Sequence, residues 1–311
     1  MIYFNKHKEA LHMKLSGIFA PVPTPFLEDG SIDEAGWRKN LRIWASSALD
    51  GIVICGSNGE LPFMTADERV SLTKIASEEC KGRLKLMSGA HFPSTAETVS
   101  CARALGAAGA EYVLVLPPHY FKGNPKAVLK YFEDVADASP VPVFMYNMPA
   151  NTGVDMELDT IIAASKHGNI AGIKDTSGNM TKLGYLAVSA SDDFSVFGGT
   201  GNWFLAALAM GACGGTMAAA ILFPDTCRRI FDSFNEGNIT DAVTLQSKLL
   251  PVSDAITRRF GIPGLKAALE SRGMTGGPCR APLLDITDEA KKEILFILDK
   301  SGLDEYEDWR K

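Results

Sequence analysis

The feature that most constrains this chain is an alternation of eight short β-rich runs with helical stretches. The runs are GIFAPV from Gly17, GIVIC from Gly51, LKLMSGA from Leu84, YVLVLPP from Tyr112, VFMYN from Val143, IAGIK from Ile170, FSVFGG from Phe194 and GGTMAA from Gly214. Their starts fall roughly 20 to 35 residues apart, the length that a strand, a crossover helix and two loops require. The segments between them carry helix signals. Thr65 precedes an acidic first turn in TADERVSLTKIASEEC, and Ser94 with Glu97 makes a capping-box pattern before an apolar stripe that Gly106 and Gly109 are expected to close. Strands this uniformly apolar are buried on both faces, which calls for a parallel sheet covered by helices. Eight such units close best as an α/β fold of the TIM (β/α)8 barrel type. A doubly wound open sheet is the alternative, because periodicity does not reveal closure.

Beyond the eighth run the alternation stops. Residues 224–311 read as helices only, including DAVTLQSKLLPVSDAITRRF and TDEAKKEILFILDK, interrupted by the turn-rich GIPG and MTGGPCRAPL. Pro251 is expected to kink the first of these helices. The organisation expected is an N-terminal extension over residues 1–14, a barrel over 15–223, and a helical region over 224–311 packed on the barrel. No low-complexity linker supports a detachable second domain. The opening MIYFNKHKEALH is polar, contains Glu9 and lacks both arginine and the apolar centre of a signal peptide, so it reads as a mobile extension ahead of an alternative start at Met13.

Composition narrows the function classes. With 311 residues, 46% of them hydrophobic, the chain can bury the core of one large barrel. A formal charge of −6 with scattered basic residues leaves no footprint for nucleic acid or an anionic membrane as partner, and no run reaches the roughly 18 apolar residues of a membrane span. Six cysteines lie far apart without a CxxC pair, which reads as reduced thiols in a cytoplasmic setting. The five histidines show no ligand spacing, so neither a metal nor another cofactor is expected.

Against that background the stretch NIAGIKDTSG (Asn169–Gly178) stands out, because Lys174 ends an apolar run with Asp175 directly after it. A strand lysine often extends to water along its own stem. In a barrel, however, chemistry gathers at the C-terminal ends of the strands, and Lys174 ends the sixth. Other residues share that rim: GSNGE (Gly56–Glu60) follows the second strand, PPHYF (Pro117–Phe121) the fourth, and Tyr146 ends the fifth. Adjacent strands would bring the Tyr146 hydroxyl beside the Lys174 amine. An amine withdrawn from water favours its neutral, nucleophilic form. It can condense with a ketone to a Schiff base, whose cationic nitrogen accepts electrons when a neighbouring C–C bond breaks. That is class I aldolase chemistry.

Three motifs together carry a resemblance: GSNGE in the place of a GxxGE pattern, YNMPANTG (Tyr146–Gly153) and GIKDTSG (Gly172–Gly178). Over residues 15 to 300 the sequence resembles the dihydrodipicolinate synthase and N-acetylneuraminate lyase superfamily, pyruvate-dependent barrel lyases. The resemblance implies that Lys174 forms the imine and that Tyr146 transfers protons. It implies that Ser57 and Asn58, beside Gly59 in the substrate-binding loop, hold the keto acid's carboxylate, and that Ser57 also relays protons to Tyr146. Tyr120 matches a tyrosine that a neighbouring subunit inserts, which implies a homo-oligomer, a dimer or a tetramer built as a dimer of dimers.

Two departures bear on substrate. Asn151 occupies the position at which the dihydrodipicolinate synthases carry an arginine for the semialdehyde's carboxylate, and an amide cannot form that bidentate ionic pair. Asn58 replaces a threonine common in the synthases and the sialic acid lyases. With the tail AITRRFGIPGLK and GGPCRAPL, the pattern is most similar to the 4-hydroxy-2-oxoglutarate aldolases, which release pyruvate and glyoxylate. The alternatives are a dihydrodipicolinate synthase with another carboxylate anchor, an aldolase of 2-keto-3-deoxy sugar acids, and an inactive keto-acid-binding barrel. Arg258 and Arg259 are expected to brace a helix C-terminus rather than touch substrate.

Overall fold

Each of the eight apolar runs forms a parallel strand, and the last pairs with the first to close the sheet. The computed structural model describes residues 14–308. The N-terminal extension therefore lies, except for Lys14, outside the described residues. In chain order the elements are β1 (Gly17–Pro21), α1 (Glu34–Ala45), β2 (Gly51–Ile54), α2 (Ala66–Cys80), β3 (Lys85–Gly89), α3 (Thr95–Ala107), β4 (Tyr112–Val115) and α4 (Pro125–Ala138). There follow β5 (Val143–Asn147), α5 (Pro149–Thr152), α6 (Leu158–Ala164), β6 (Ile170–Asp175), α7 (Met180–Ser189), β7 (Ser195–Gly198), α8 (Phe204–Ala209), β8 (Gly214–Thr216) and α9 (Ala219–Leu222). The closing helices are α10 (Pro224–Asn235), α11 (Ile239–Asp254), α12 (Gly261–Glu270) and α13 (Asp288–Ser301). The fold is a TIM barrel with a C-terminal helical appendage, not an open sheet.

Side chains of alternate strand residues fill the barrel. Phe19, Val53, Met87, Leu114, Phe144 and Phe197 form one buried cluster, with Phe197 in edge contact with Phe19 at 5.4 Å and Phe144 at 5.3 Å. Glycines on neighbouring strands make room for these rings: a Cβ on Gly51 would lie 2.2 Å from Phe19, and one on Gly172 2.4 Å from Phe144. The opposite strand faces pack on the helices. Ile18 and Ile52 share a cluster with Ile230 of α10, Leu249 of α11, Leu265 of α12 and Ile294 of α13, so the C-terminal helices extend the barrel's own core.

Local signals act largely as the sequence indicates. Thr65 and Glu68 form a reciprocal capping box on α2. Ser94 caps α3, but its hydroxyl donates to the Glu97 carboxylate while accepting the Glu97 N–H. Gly106 lies inside α3, and Gly109, at φ +103°, takes the turn after it. The GIPG segment interrupts the helices as expected: the π turn ends at Arg259, Gly261 takes φ +58°, and α12 starts there, with Pro263 in a first turn whose N–H groups have no intrahelical acceptor. Helix α11 runs through Pro251 to Asp254 and then widens into a π turn over Ala255–Arg259. Among the described residues no helix is long and apolar enough to cross a membrane.

Candidate active site

The strand register builds the site. Lys174 is the Cα partner of Tyr146 on β5 and of Phe197 on β7, so the lysine projects into the barrel mouth from between two aromatic side chains. It is 4% exposed, and its Nζ lies 4.4 Å from the centre of the Tyr146 ring. The following residue necessarily points the other way, which accounts for the aspartate. Asp175 is buried on the outer face, where it accepts from Asn147 Nδ2 at 2.9 Å, from the Ser177 N–H at 3.0 Å and from the Ser177 hydroxyl at 2.9 Å. Asn147 also donates to Asp155, which is ion-paired with Lys182 of α7. This network fixes the end of β6 and with it the direction of Lys174.

The Tyr146 hydroxyl shares a 3.3 Å hydrogen bond with Ser57 Oγ. Ser57 and Asn58 lie in the turn after β2, between Cys55 at φ +51° and Glu60 at φ +61°. Two non-glycine residues in the left-handed region are uncommon and mark a turn held by its surroundings. The surroundings are identifiable. Asn58 donates to the Pro21 carbonyl at 3.0 Å, and a Cβ on Gly59 would stand 2.9 Å from the Cys55 Cα, which leaves room only for glycine. Glu60, 1% exposed, is 2.7 Å from Lys266 Nζ of α12 and accepts the Arg280 N–H at 2.8 Å. Arg280 in turn pairs with Glu68 at 2.7 Å. The sequence reading missed this clamp, although the glutamate of GSNGE and the lysine of GLK were its signal.

Lys174, Tyr146, Ser57, Asn58 and Asn151 line one cavity of about 1120 Å³. Gly59 is buried behind the turn. Tyr120 is not in this cavity: it is 81% exposed, stands beside the equally exposed Phe121, and lines a separate recess with His119 and Tyr131. The cavity also takes in Thr176, Thr200, Asn202 and Trp203, none of which the sequence reading selected. Arg258 sits in the last turn of the π segment. It lines the cavity, 3.6 Å from Asp254, while its neighbour Arg259 braces α13 through Glu293 at 2.5 Å. The π turn explains the difference, since its extra width brings Ile256, Thr257 and Arg258 together onto the cavity wall.

Behind Ser57 and Asn151 a second cavity of about 420 Å³ holds Arg69, His91 and His119. Burial holds the His91 imidazole near 4, with His119 and Arg69 adding to the effect. Cys55, the thiol nearest the Ser57–Asn58 turn in sequence, is pushed up to about 12 by burial, which withdraws it from nucleophilic chemistry.

Residues 14–301 match the dihydrodipicolinate synthetase family. A probable mitochondrial 4-hydroxy-2-oxoglutarate aldolase of Emericella nidulans is 36% identical over 282 residues, covering 88% of this chain and 91% of that protein. A 4-hydroxy-tetrahydrodipicolinate synthase of Methanothrix thermoacetophila is 31% identical over 285 residues, covering 91% and 96%. Among solved structures, a putative dihydrodipicolinate synthase of Thermus thermophilus superposes with a TM-score of 0.85 at 32% identity, covering 93% of this chain and 99% of that one.

Proposed function

Because the chain belongs to the dihydrodipicolinate synthetase family and is an aldolase or lyase of it, we propose that it cleaves a 4-hydroxy-2-oxo acid through a Schiff base on Lys174, with 4-hydroxy-2-oxoglutarate as the substrate. The observation that carries this reading is the buried Lys174 amine beside Tyr146 in a cavity whose rim bears the neutral Asn151.

In this mechanism the Lys174 amine adds to the C2 carbonyl carbon, and loss of water leaves the protonated imine. The turn at Ser57 and Asn58 receives the C1 carboxylate. Tyr146 accepts the proton of the C4 hydroxyl and passes its own to Ser57 Oγ, which releases its hydroxyl proton to a further acceptor beyond it. The C3–C4 bond then breaks, its electron pair moves through C2 onto the imine nitrogen, and C4 leaves as the aldehyde of glyoxylate. Protonation of the enamine at C3 and hydrolysis of the imine release pyruvate and restore Lys174. A synthase reading keeps the same imine but places the semialdehyde's carboxylate on an arginine at the position of Asn151, which here offers no charge.

A substrate panel tests the assignment. Cleavage of 4-hydroxy-2-oxoglutarate, read as pyruvate release, is expected to exceed condensation of pyruvate with aspartate semialdehyde in kcat/KM. Equal or faster condensation would overturn the substrate and leave the imine intact.

A further inference from the structure

The proposed substrate carries two carboxylates, and the lysine and its turn account for one. With C2 fixed at Lys174 and C1 at the turn of Ser57 and Asn58, the carboxylate beyond C4 has to meet another part of the cavity wall. Burying it against neutral groups alone would be costly. Among the described lining residues the charged side chains besides Lys174 are Asp254 and Arg258. Asp254 repels an anion, and Asn151 is neutral.

Arg258 has the properties of an available anchor. Its guanidinium stands 3.6 Å from Asp254, outside hydrogen-bond range, and makes no hydrogen bond among the described residues, so its donors remain uncommitted. Its side chain is 78% exposed, which makes the contact with Asp254 weak and exchangeable. Arg259 and Arg280 are instead tied to glutamates at 2.5 and 2.7 Å. Asp254 is itself positioned, since Asn202 donates to it at 3.2 Å and Asn202 is held by the Ser253 hydroxyl at 2.6 Å. The π turn then delivers Arg258 to the cavity wall from the C-terminal helices, whereas Lys174, Tyr146, Ser57, Asn58 and Asn151 come from the barrel.

We propose that Arg258 binds the distal carboxylate of the substrate and so selects 4-hydroxy-2-oxo acids that end in a carboxylate. This rests on the Schiff-base reading above. The guanidinium exchanges a loose contact with Asp254 for a planar, two-point pair with the substrate, which a neutral-ended analogue cannot offer.

The test is the ratio of kcat/KM for 4-hydroxy-2-oxoglutarate to that for 4-hydroxy-2-oxopentanoate, in which a methyl group replaces the distal carboxylate. Arg258→Gln is expected to lower that ratio about 10- to 100-fold, through KM for the dicarboxylate. Arg258→Lys should retain part of it, and Arg259→Gln all of it. An unchanged ratio in Arg258→Gln, or equal losses on both substrates, would overturn the anchor. Trapping of a pyruvate adduct by borohydride in the unaltered protein is read separately. Its failure would remove the underlying reading and the anchor with it, whereas trapping with an unchanged ratio removes the anchor alone.

Discussion

The Lys174 amine lies over the face of the Tyr146 ring, 4.4 Å from its centre, and the two residues are register partners on adjacent strands. The contact follows from chain order, because strands five and six are neighbours in a barrel and equal register puts both side chains at one height. It leaves the amine buried against an aromatic ring, on a strand end that the Asp175 network fixes.

Pyruvate with borohydride is therefore expected to inactivate the protein and to leave one reduced pyruvyl adduct, on Lys174. Lys174→Ala should melt close to the parent and form none. Peptide mass mapping decides: an adduct on another lysine, or none on folded protein, contradicts the mechanism.

Glu60 and Lys266 form a buried ion pair, 1% and 2% exposed, joining the turn of Ser57 and Asn58 to α12. Removing one charge strands the other. Lys266→Met is expected to cost about 3 to 5 kcal/mol in urea unfolding, and the double variant Glu60→Gln, Lys266→Met should recover part of that loss. Strict additivity of the two single changes would mean that the pair is not coupled.

How much of this was legible in the sequence depended on how local each determinant is. The eight strands were readable because each is apolar on both faces, and Lys174 and Tyr146 because strand order alone makes them neighbours. Glu60 and Lys266 meet only after the chain has closed the barrel and returned, so no window of sequence contains both. Arg258 looked like a helix brace because a cation near a helix end usually is one. The π turn that redirects it depends on how α11 and α12 fit the barrel, which no propensity encodes. GIPG is legible for the opposite reason: its breakers are plain in the sequence, and the interruption falls at Gly261, after which a first turn tolerates Pro263.

His91 gives a dependence on pH whose sign is fixed. The folded protein holds it near 4 by burial, next to His119 and Arg69, whereas in an unfolded chain histidine titrates near 6.5. Between pH 6.5 and 4 the unfolded chain takes up a proton that the fold refuses, so stability falls with pH across that window and levels off below it. The loss is at most about 3 kcal/mol. His91→Gln should show a shallower decline of Tm between pH 6.5 and 4. Parallel slopes for the two proteins would assign the acid sensitivity to other groups.

Tyr120 bears on whether the site is complete within one chain. A neutral phenol can accept the substrate's hydroxyl proton only by passing its own onward, and Tyr146 has Ser57 Oγ at 3.3 Å to receive it. Ser57 needs a further acceptor. Tyr120 is 81% exposed beside Phe121 and lines a different recess, so within one chain it does not reach the cavity of Lys174. We propose that it completes the relay of a neighbouring copy. Tyr120→Phe and Tyr146→Phe are each expected to lower kcat by about 10²- to 10⁴-fold while pyruvate is still trapped on Lys174. Mixing the two variants under conditions of subunit exchange should then restore activity, because a hybrid assembly contains a site with Tyr146 from one chain and Tyr120 from the other. Hybrids that form, as judged by native mass, yet recover nothing would place Tyr120 outside a shared site and leave the Ser57 proton to solvent.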